Sequence, residues 1–156
     1  MESSVLSLSL NFGIPPWTSH HRFSCSTYGF GYIPNTTKYF LVNIYKINSH
    51  DKNCWCTSFS SVTKHWSSPF LCPEYVQQLD SKYVVCGGQL YWLNFNDHAG
   101  TSPQCIVYYS AKDNEFGYLH MPAKAANLEK RLISIDDILC FVGLESRDDE
   151  IYTWTI

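Results

Sequence analysis

Seven cysteines and six histidines are the residues of this chain best suited to metal binding or nucleophilic chemistry. Cys54 and Cys56 are separated by a single residue, which places both thiols on one face of a strand. Structural zinc sites normally use a wider spacing. His20, His21 and Cys25 form another possible half-site, but no second half has matching spacing. We therefore interpret the cysteines as buried or loop residues and expect no metal and no cofactor.

Cys86 lies beside Gly87-Gly88, whose amides could form an oxyanion hole if Cys86 were a nucleophile. Such a thiol needs a base and an activating environment, and the sequence indicates neither, so we interpret Cys86 as a strand-end residue before a turn. The acidic groups Asp136-Asp137 and 148–150 also fall in predicted turns, where aspartate is favoured for backbone reasons. Gly29-Phe30-Gly31 lacks the third glycine and the helix of a phosphate-binding loop. We expect a protein that is not an enzyme.

Residues 83–95 (YVVCGGQLYWLNF) predict a β-hairpin that turns at Gly87-Gly88. Leu90 to Leu93 are consecutively apolar, which indicates a strand covered on both faces, and an isolated hairpin cannot provide that cover. The hairpin over 83–95 therefore requires similar units to pack against. Another hairpin is predicted over 132–144, with Asp136-Asp137 in its turn.

Similar units recur about every fifty residues. Tyr91 lies 51 residues after Phe40 and 50 residues before Phe141, and Trp66 lies 50 residues before Phe116. Four strands in a unit of this length are typical of a β-propeller blade. We predict an all-β fold of antiparallel propeller blades, a partial propeller of two to three units. Too few units are present for a ring, so more chain is missing, the sheets close differently, or the chain is a fragment.

The remaining segments are assigned around these units. Residues 1–27 predict a poorly structured N-terminal arm, and residues 28–156 the β domain. Residues 67–82 predict a connection between blades with one helical turn, and 123–131 predict either a short helix or a loop. The final strand is predicted over 151–156.

Composition excludes several classes of protein. Charged residues make up 16% of the chain and hydrophobic residues 45%, which is a globular composition. A net charge of −3 without a basic run favours neither a nucleic-acid nor a membrane partner. No signal peptide or membrane-spanning run is recognised, so we expect an intracellular protein, cytoplasmic or nuclear, with reduced thiols.

Five segments in order resemble the F-box-associated domain of plant F-box proteins, a kelch-like region that recognises substrates. They are GFGYIPNTTKYFLVNIYK (29–46), SFSSVTKHW (58–66), VVCGGQLYWLNF (84–95), IVYYSAKDNEFGYLHMP (106–122) and ILCFVGL with EIYTWTI (138–144 and 150–156). The chain departs from the family at Ile33, where an aspartate is usual. The resemblance covers residues 28–156 and implies a module that holds a target protein for a ubiquitin-ligase complex that ubiquitinates it.

The resemblance does not extend to the F-box itself. The 27 residues before Tyr28 are too few for it and lack a helical apolar pattern, so binding to the ligase adaptor is not expected. Loops 48–54, 96–104 and 145–149 occupy equivalent positions in the units and predict a recognition face, on which Asp97 and His98 are candidate partner contacts. The target is unknown. The alternatives are a small metal-binding or cysteine-dependent enzyme and a non-functional fragment.

Overall fold

A computed structural model describes residues 25–48, 50–94, 105–125, 128–145 and 151–156, and these residues form an all-β structure of three antiparallel sheets. The first sheet contains β1 (Cys25–Tyr32), β2 (Tyr39–Lys46), β3 (Trp55–Ser60), β4 (His65–Trp66) and β5 (Phe70–Leu71). The second contains β6 (Leu79–Cys86), β7 (Gln89–Asn94), β8 (Cys105–Ser110) and β9 (Glu115–His120). The third contains β10 (Glu129–Ile135), β11 (Ile138–Leu144) and β12 (Ile151–Thr155). None of these sheets closes on itself within the described residues.

The predicted hairpins are confirmed. Cys86 pairs with Gln89 across the turn, and Gly87 and Gly88 take positive φ angles of 57° and 77°. Asp136 and Asp137 take the same left-handed conformation in the turn between β10 and β11, at 51° and 60°. Two consecutive positive φ angles match the right-handed twist of the flanking strands, which is why this turn joins them.

The turn after the third strand has the same backbone geometry in the first and second sheets. Lys64 and Asn114 have positive φ angles, and their amides donate to the carbonyls of Ser60 and Ser110 at 2.8 Å in both cases. Trp66 then packs on Phe59 with ring centroids 5.6 Å apart, and Phe116 packs on Tyr109 at 5.2 Å. Trp66 and Phe116, which the sequence pairs as repeats, therefore hold equivalent positions.

Three predicted boundaries differ from the structure. The segment 67–82 is not only a connection, because it contains β5, a 3-10 turn over Glu74–Val76 and the start of β6. The helix over 123–131 is wrong: a 3-10 turn ends at Ala125 and β10 begins at Glu129. A helix that short is unstable alone, whereas pairing with β11 satisfies the backbone. Strand β1 begins at Cys25, inside the predicted arm, most of which lies outside the described residues.

The sheets pack in chain order. We call the face of each sheet that is turned towards the following sheet its leading face, and the opposite face its trailing face. The leading face of the first sheet and the trailing face of the second share one core, which includes Phe40, Val42, Ile44, Leu90, Trp92, Val107 and Tyr109. The leading face of the second sheet and the trailing face of the third share another, which includes Leu93, Ile106, Phe141 and the half-buried Leu132 and Trp154. The second sheet is thus covered on both faces, as Leu90 to Leu93 predicted.

The first strands of the three sheets lie side by side. Strand β1 contacts β6, and β6 contacts β10. The amide of Phe30 donates to the hydroxyl of Tyr83 at 3.1 Å, and the amide of Gly87 donates to Oδ1 of Asp137 at 2.7 Å. A Cβ atom on Gly29 would lie 2.5 Å from Leu90 Cδ1, so only glycine lets β1 approach the second sheet this closely.

Candidate binding cleft

An open cleft of about 680 Å³ lies between β6 of the second sheet and β10 of the third. Its apolar lining consists of Tyr83, Val84, Leu93, Leu128, Leu132 and Ile133. Its polar lining consists of Asp80, Lys82, Glu129, Lys130 and Arg131. An apolar floor with a few charged groups around it is the usual composition of a binding site.

A β-bulge in β6 shapes one wall of the cleft. Leu79 pairs with Asn94 and Tyr83 pairs with Trp92, so residues 80–82 on β6 oppose a single residue of β7. Asp80 stabilises the bulge, because its Oδ1 accepts from the amide of Lys82 at 3.1 Å and from the hydroxyl of Ser81 at 3.3 Å. The bulge places Asp80 and Lys82 at the cleft.

Both walls of the cleft are edge strands. Strands β6 and β10 each end the strand order of their sheet, so one side of each backbone has no ladder partner within that sheet. An edge of this kind can pair with an added extended segment, with neighbouring pockets selecting alternate side chains. The cleft therefore has the elements needed to hold an extended peptide.

The charges around the cleft are mixed, with three basic and two acidic side chains. Arg131 Nη2 lies 3.0 Å from Glu129 Oε1, and both side chains are more than half exposed, so this pair contributes little stability. Burial lowers the pKa of Lys130 from its ordinary value. A bound segment would therefore meet charges of both signs, with a small excess of positive charge.

The recognition face predicted from the loops lies largely outside the described residues. Asp97 and His98 fall in 95–104, and of the loop 145–149 only Glu145 is described. The loop 48–54 is described apart from residue 49, and Asp51 Oδ2 accepts from the amide of Asn48 at 3.0 Å within it. Topology does place the three loops equivalently, since each joins the second and third strands of its sheet.

Four cysteines, Cys54, Cys56, Cys72 and Cys105, lie in the core between the first and second sheets. Cys54 and Cys56 are both buried in the first core, on one face as their spacing predicted. Burial is the main cause that raises the pKa of the Cys56 and Cys105 thiols, and a hydrogen bond with Cys72 adds to the shift at Cys56. Thiols held in the protonated form are poor nucleophiles and poor metal ligands. No group of three metal-ligating side chains occurs within the described ranges.

Cys86 and its glycines form a link between turns. The thiol donates to the carbonyl of Asp137 at 3.0 Å, and the amide of Gly87 is already bonded to the carboxylate of the same residue. Burial is also the largest cause that raises the pKa of Cys86. The amide that an oxyanion hole would need is therefore occupied in joining the second sheet to the third.

The β6 wall of the cleft includes a polar run that the sequence prediction leaves outside the strand. Asp80-Ser81-Lys82 precedes the apolar part of β6, and the predicted strand begins only at Tyr83. In the structure β6 begins at Leu79, and the polar run is the bulge within it. The other wall, Glu129 to Ile133, lay partly in the predicted helix or loop.

Comparison with known protein families, with curated proteins and with solved structures finds no match for this chain. None of the described helices is long and apolar enough to cross a bilayer.

Proposed function

We propose that this chain is a non-enzymatic protein-interaction module whose three sheets are propeller blades of the kelch-like type. The adjacent first strands β1, β6 and β10 support this arrangement, because the first strands of propeller blades surround a common axis. The ordered segments that resemble the F-box-associated domain support a role in holding a target protein for a ubiquitin-ligase complex. The raised thiol pKa values weigh against the cysteine-dependent alternative.

The observation that carries the binding role is the cleft between β6 and β10. It combines two strand edges with an apolar floor, and its charged groups lie on both walls. We infer that the occupant is an extended segment of a partner protein, because strand edges recognise backbone groups that a compact ligand does not present in a row.

A peptide-display library selected on the full chain tests this role. Peptides that bind the wild type are measured by fluorescence anisotropy against Lys82→Glu, which reverses a charge on the cleft wall, and against Leu132→Ala, which removes part of its floor. Lys112→Glu is the matched control, since Lys112 is exposed in the turn after β8. We expect about tenfold weaker binding for the cleft variants, as for an interface contact worth about 1.4 kcal/mol.

The loop face is tested in parallel by replacing 96–104 with glycine and serine. If the selected peptides lose binding only in the loop variant, the target is held by the loops and not by the cleft. If neither change affects them, the interaction role assigned to these surfaces is wrong.

A further inference from the structure

The leading face of the third sheet is apolar and exposed. The register pairs Ile133 with Cys140 and Ile135 with Ile138, and it pairs Leu144 with Ile151, so these side chains share one face. Ile135, Ile138 and Ile151 are 55%, 49% and 66% exposed, and Val142 on the same face is half-buried. The charged side chains described on this face are Glu129 and Arg131, which pair with each other near its edge.

The leading face of the second sheet shows how an apolar face of this kind packs. When the turns at Gly87-Gly88 and Asp136-Asp137 are aligned, Val84 corresponds to Ile133 and Leu93 to Val142. Leu93 is buried in the core shared with the third sheet, and Cys86 bonds to the turn of that sheet. Ile135 and Val142 therefore occupy the positions that, one sheet earlier, are held by Cys86 and Leu93 against the following sheet.

The trailing face of the first sheet offers the complementary surface along β1. Tyr28, Phe30 and Tyr32 alternate with glycines on this strand and are 57%, 42% and 52% exposed. Trailing faces in this chain are aromatic: Tyr83 and Trp92 occupy that of the second sheet, and Phe141 and Trp154 that of the third. Asn43 and Tyr45, on the same face as Tyr28, are buried, so the open part of this face is the part along β1.

We propose that two copies of this chain associate head to tail, with the exposed β1 part of the trailing face of one first sheet on the leading face of the other's third sheet. The contact repeats the internal interfaces along the first strands only, because the trailing face of the first sheet is already buried at Asn43, Tyr45 and Thr57 on β2 and β3. Strand β10 would lie beside β1 of the second copy, as β6 lies beside β10. Two such contacts close a ring of six sheets, which is within the range that propellers use.

Sedimentation velocity over a range of concentrations tests the association. The wild type is expected to form a dimer of two 18.0 kDa chains. Ile138→Arg on the leading face and Tyr28→Arg on the trailing face are each expected to abolish the dimer, because either buries an unpaired charge in both contacts. Val62→Arg is the control, since Val62 is equally exposed at 59% but lies in the turn after β3.

Mixing the two variants distinguishes a head-to-tail contact from a symmetric one. Each variant keeps one intact face, so an equimolar mixture of Ile138→Arg and Tyr28→Arg is expected to form a dimer held by a single contact. A symmetric contact between like faces would leave one of the two variants dimeric on its own, and mixing would add no further dimer. Thermal melts establish that each variant folds, and Ile151→Arg replaces Ile138→Arg if the latter does not.

A wild type that stays monomeric at every concentration overturns the proposal. A dimer that survives each of the two substitutions also overturns it, as does an equimolar mixture of the two variants that remains monomeric. Open filaments that either substitution abolishes would support the contact and overturn the closed ring.

Discussion

The second and third sheets begin with the same hairpin but differ in how they are packed. Trp92 and Leu93 of β7 face opposite cores and are both buried, whereas in β11 Phe141 is buried and its neighbour Val142 is only half-buried. The difference lies in the neighbours and not in the strands, because both sheets have apolar residues on both faces. The third sheet therefore has the sequence of a sheet that packs on both faces, although only one neighbouring sheet is described.

The largest expected effect comes from removing a side chain between the first two sheets. Trp92→Ala should destabilise the fold by about 3–5 kcal/mol, because Trp92 is fully buried in a core built by both sheets. Ile138→Ala on the open face of the third sheet should cost at most about 1 kcal/mol. Urea denaturation of both variants measures the difference, and equal losses would contradict the contrast between the two faces.

A smaller loss is expected where the first sheet approaches the second. Gly29→Val should cost about 1–3 kcal/mol, since its side chain would overlap Leu90 and Trp92 and push β1 away. The control is Gly87→Asn: no atom lies within 4 Å of a Cβ there, and asparagine tolerates a φ of 57°. Thermal melts should show the loss for Gly29→Val only, and an unchanged melt would mean that β1 is not held against β7.

Alkaline pH should weaken the core between the first and second sheets. Burial is the largest cause that raises the pKa of Tyr109 from 10.0 to about 12. The stability gained from the neutral Tyr109 hydroxyl is therefore complete below pH 10 and is lost as the pH rises towards 12. The hydroxyl donates to Asn114 Oδ1 at 2.6 Å. The buried thiols, whose pKa values are also raised from 9.0, add to the same alkaline loss.

Tyr109→Phe isolates the contribution of this hydroxyl. The variant should be less stable by about 1 kcal/mol near neutral pH, where the hydrogen bond is intact. This deficit should shrink as the pH rises from 10 to 12, because only the wild type then loses stability through Tyr109. The free energy of unfolding at several pH values tests this, and a constant deficit would show that the Tyr109 pKa is not raised.

The smallest effect concerns thiol reactivity and leaves stability unchanged. Cys140 on the leading face of the third sheet is partly exposed, whereas Cys56 and Cys105 in the cores are buried. In dilute native protein with Cys25→Ser, iodoacetamide should modify Cys140 first. Peptide mass spectrometry identifies the site, and equally fast labelling of Cys56 would contradict the packing of the first two sheets.

Much of the fold was predictable because its signals are local. The turn at Gly87-Gly88, the aromatic strand residues and the repeated positions of Trp66 and Phe116 follow from φ angles and side-chain type, and the structure confirms them. Of the two alternatives predicted over 123–131, a short helix or a loop, the helix is wrong because its propensity was outweighed by strand pairing with β11.

The candidate cleft was not predictable, for a physical reason. It depends on how β6 and β10, about fifty residues apart in sequence, lie relative to each other, and on a bulge that adds residues 80–82 to the wall. The residues involved are common surface types, and nothing in their spacing marks them. The proposed resemblance to F-box-associated domains gives no position for a site, and Asp97 and His98 remain predictions.

Native-state hydrogen exchange of the β7 and β11 amides tests the central claim, that the second sheet is packed on both faces and the third on one. Both strands are paired on both sides within their sheets, so the comparison is free of edge effects. In protein dilute enough to be monomeric, β7 amides should exchange only through global unfolding and β11 amides through a local opening of lower free energy. Equal protection of β7 and β11 would contradict the account.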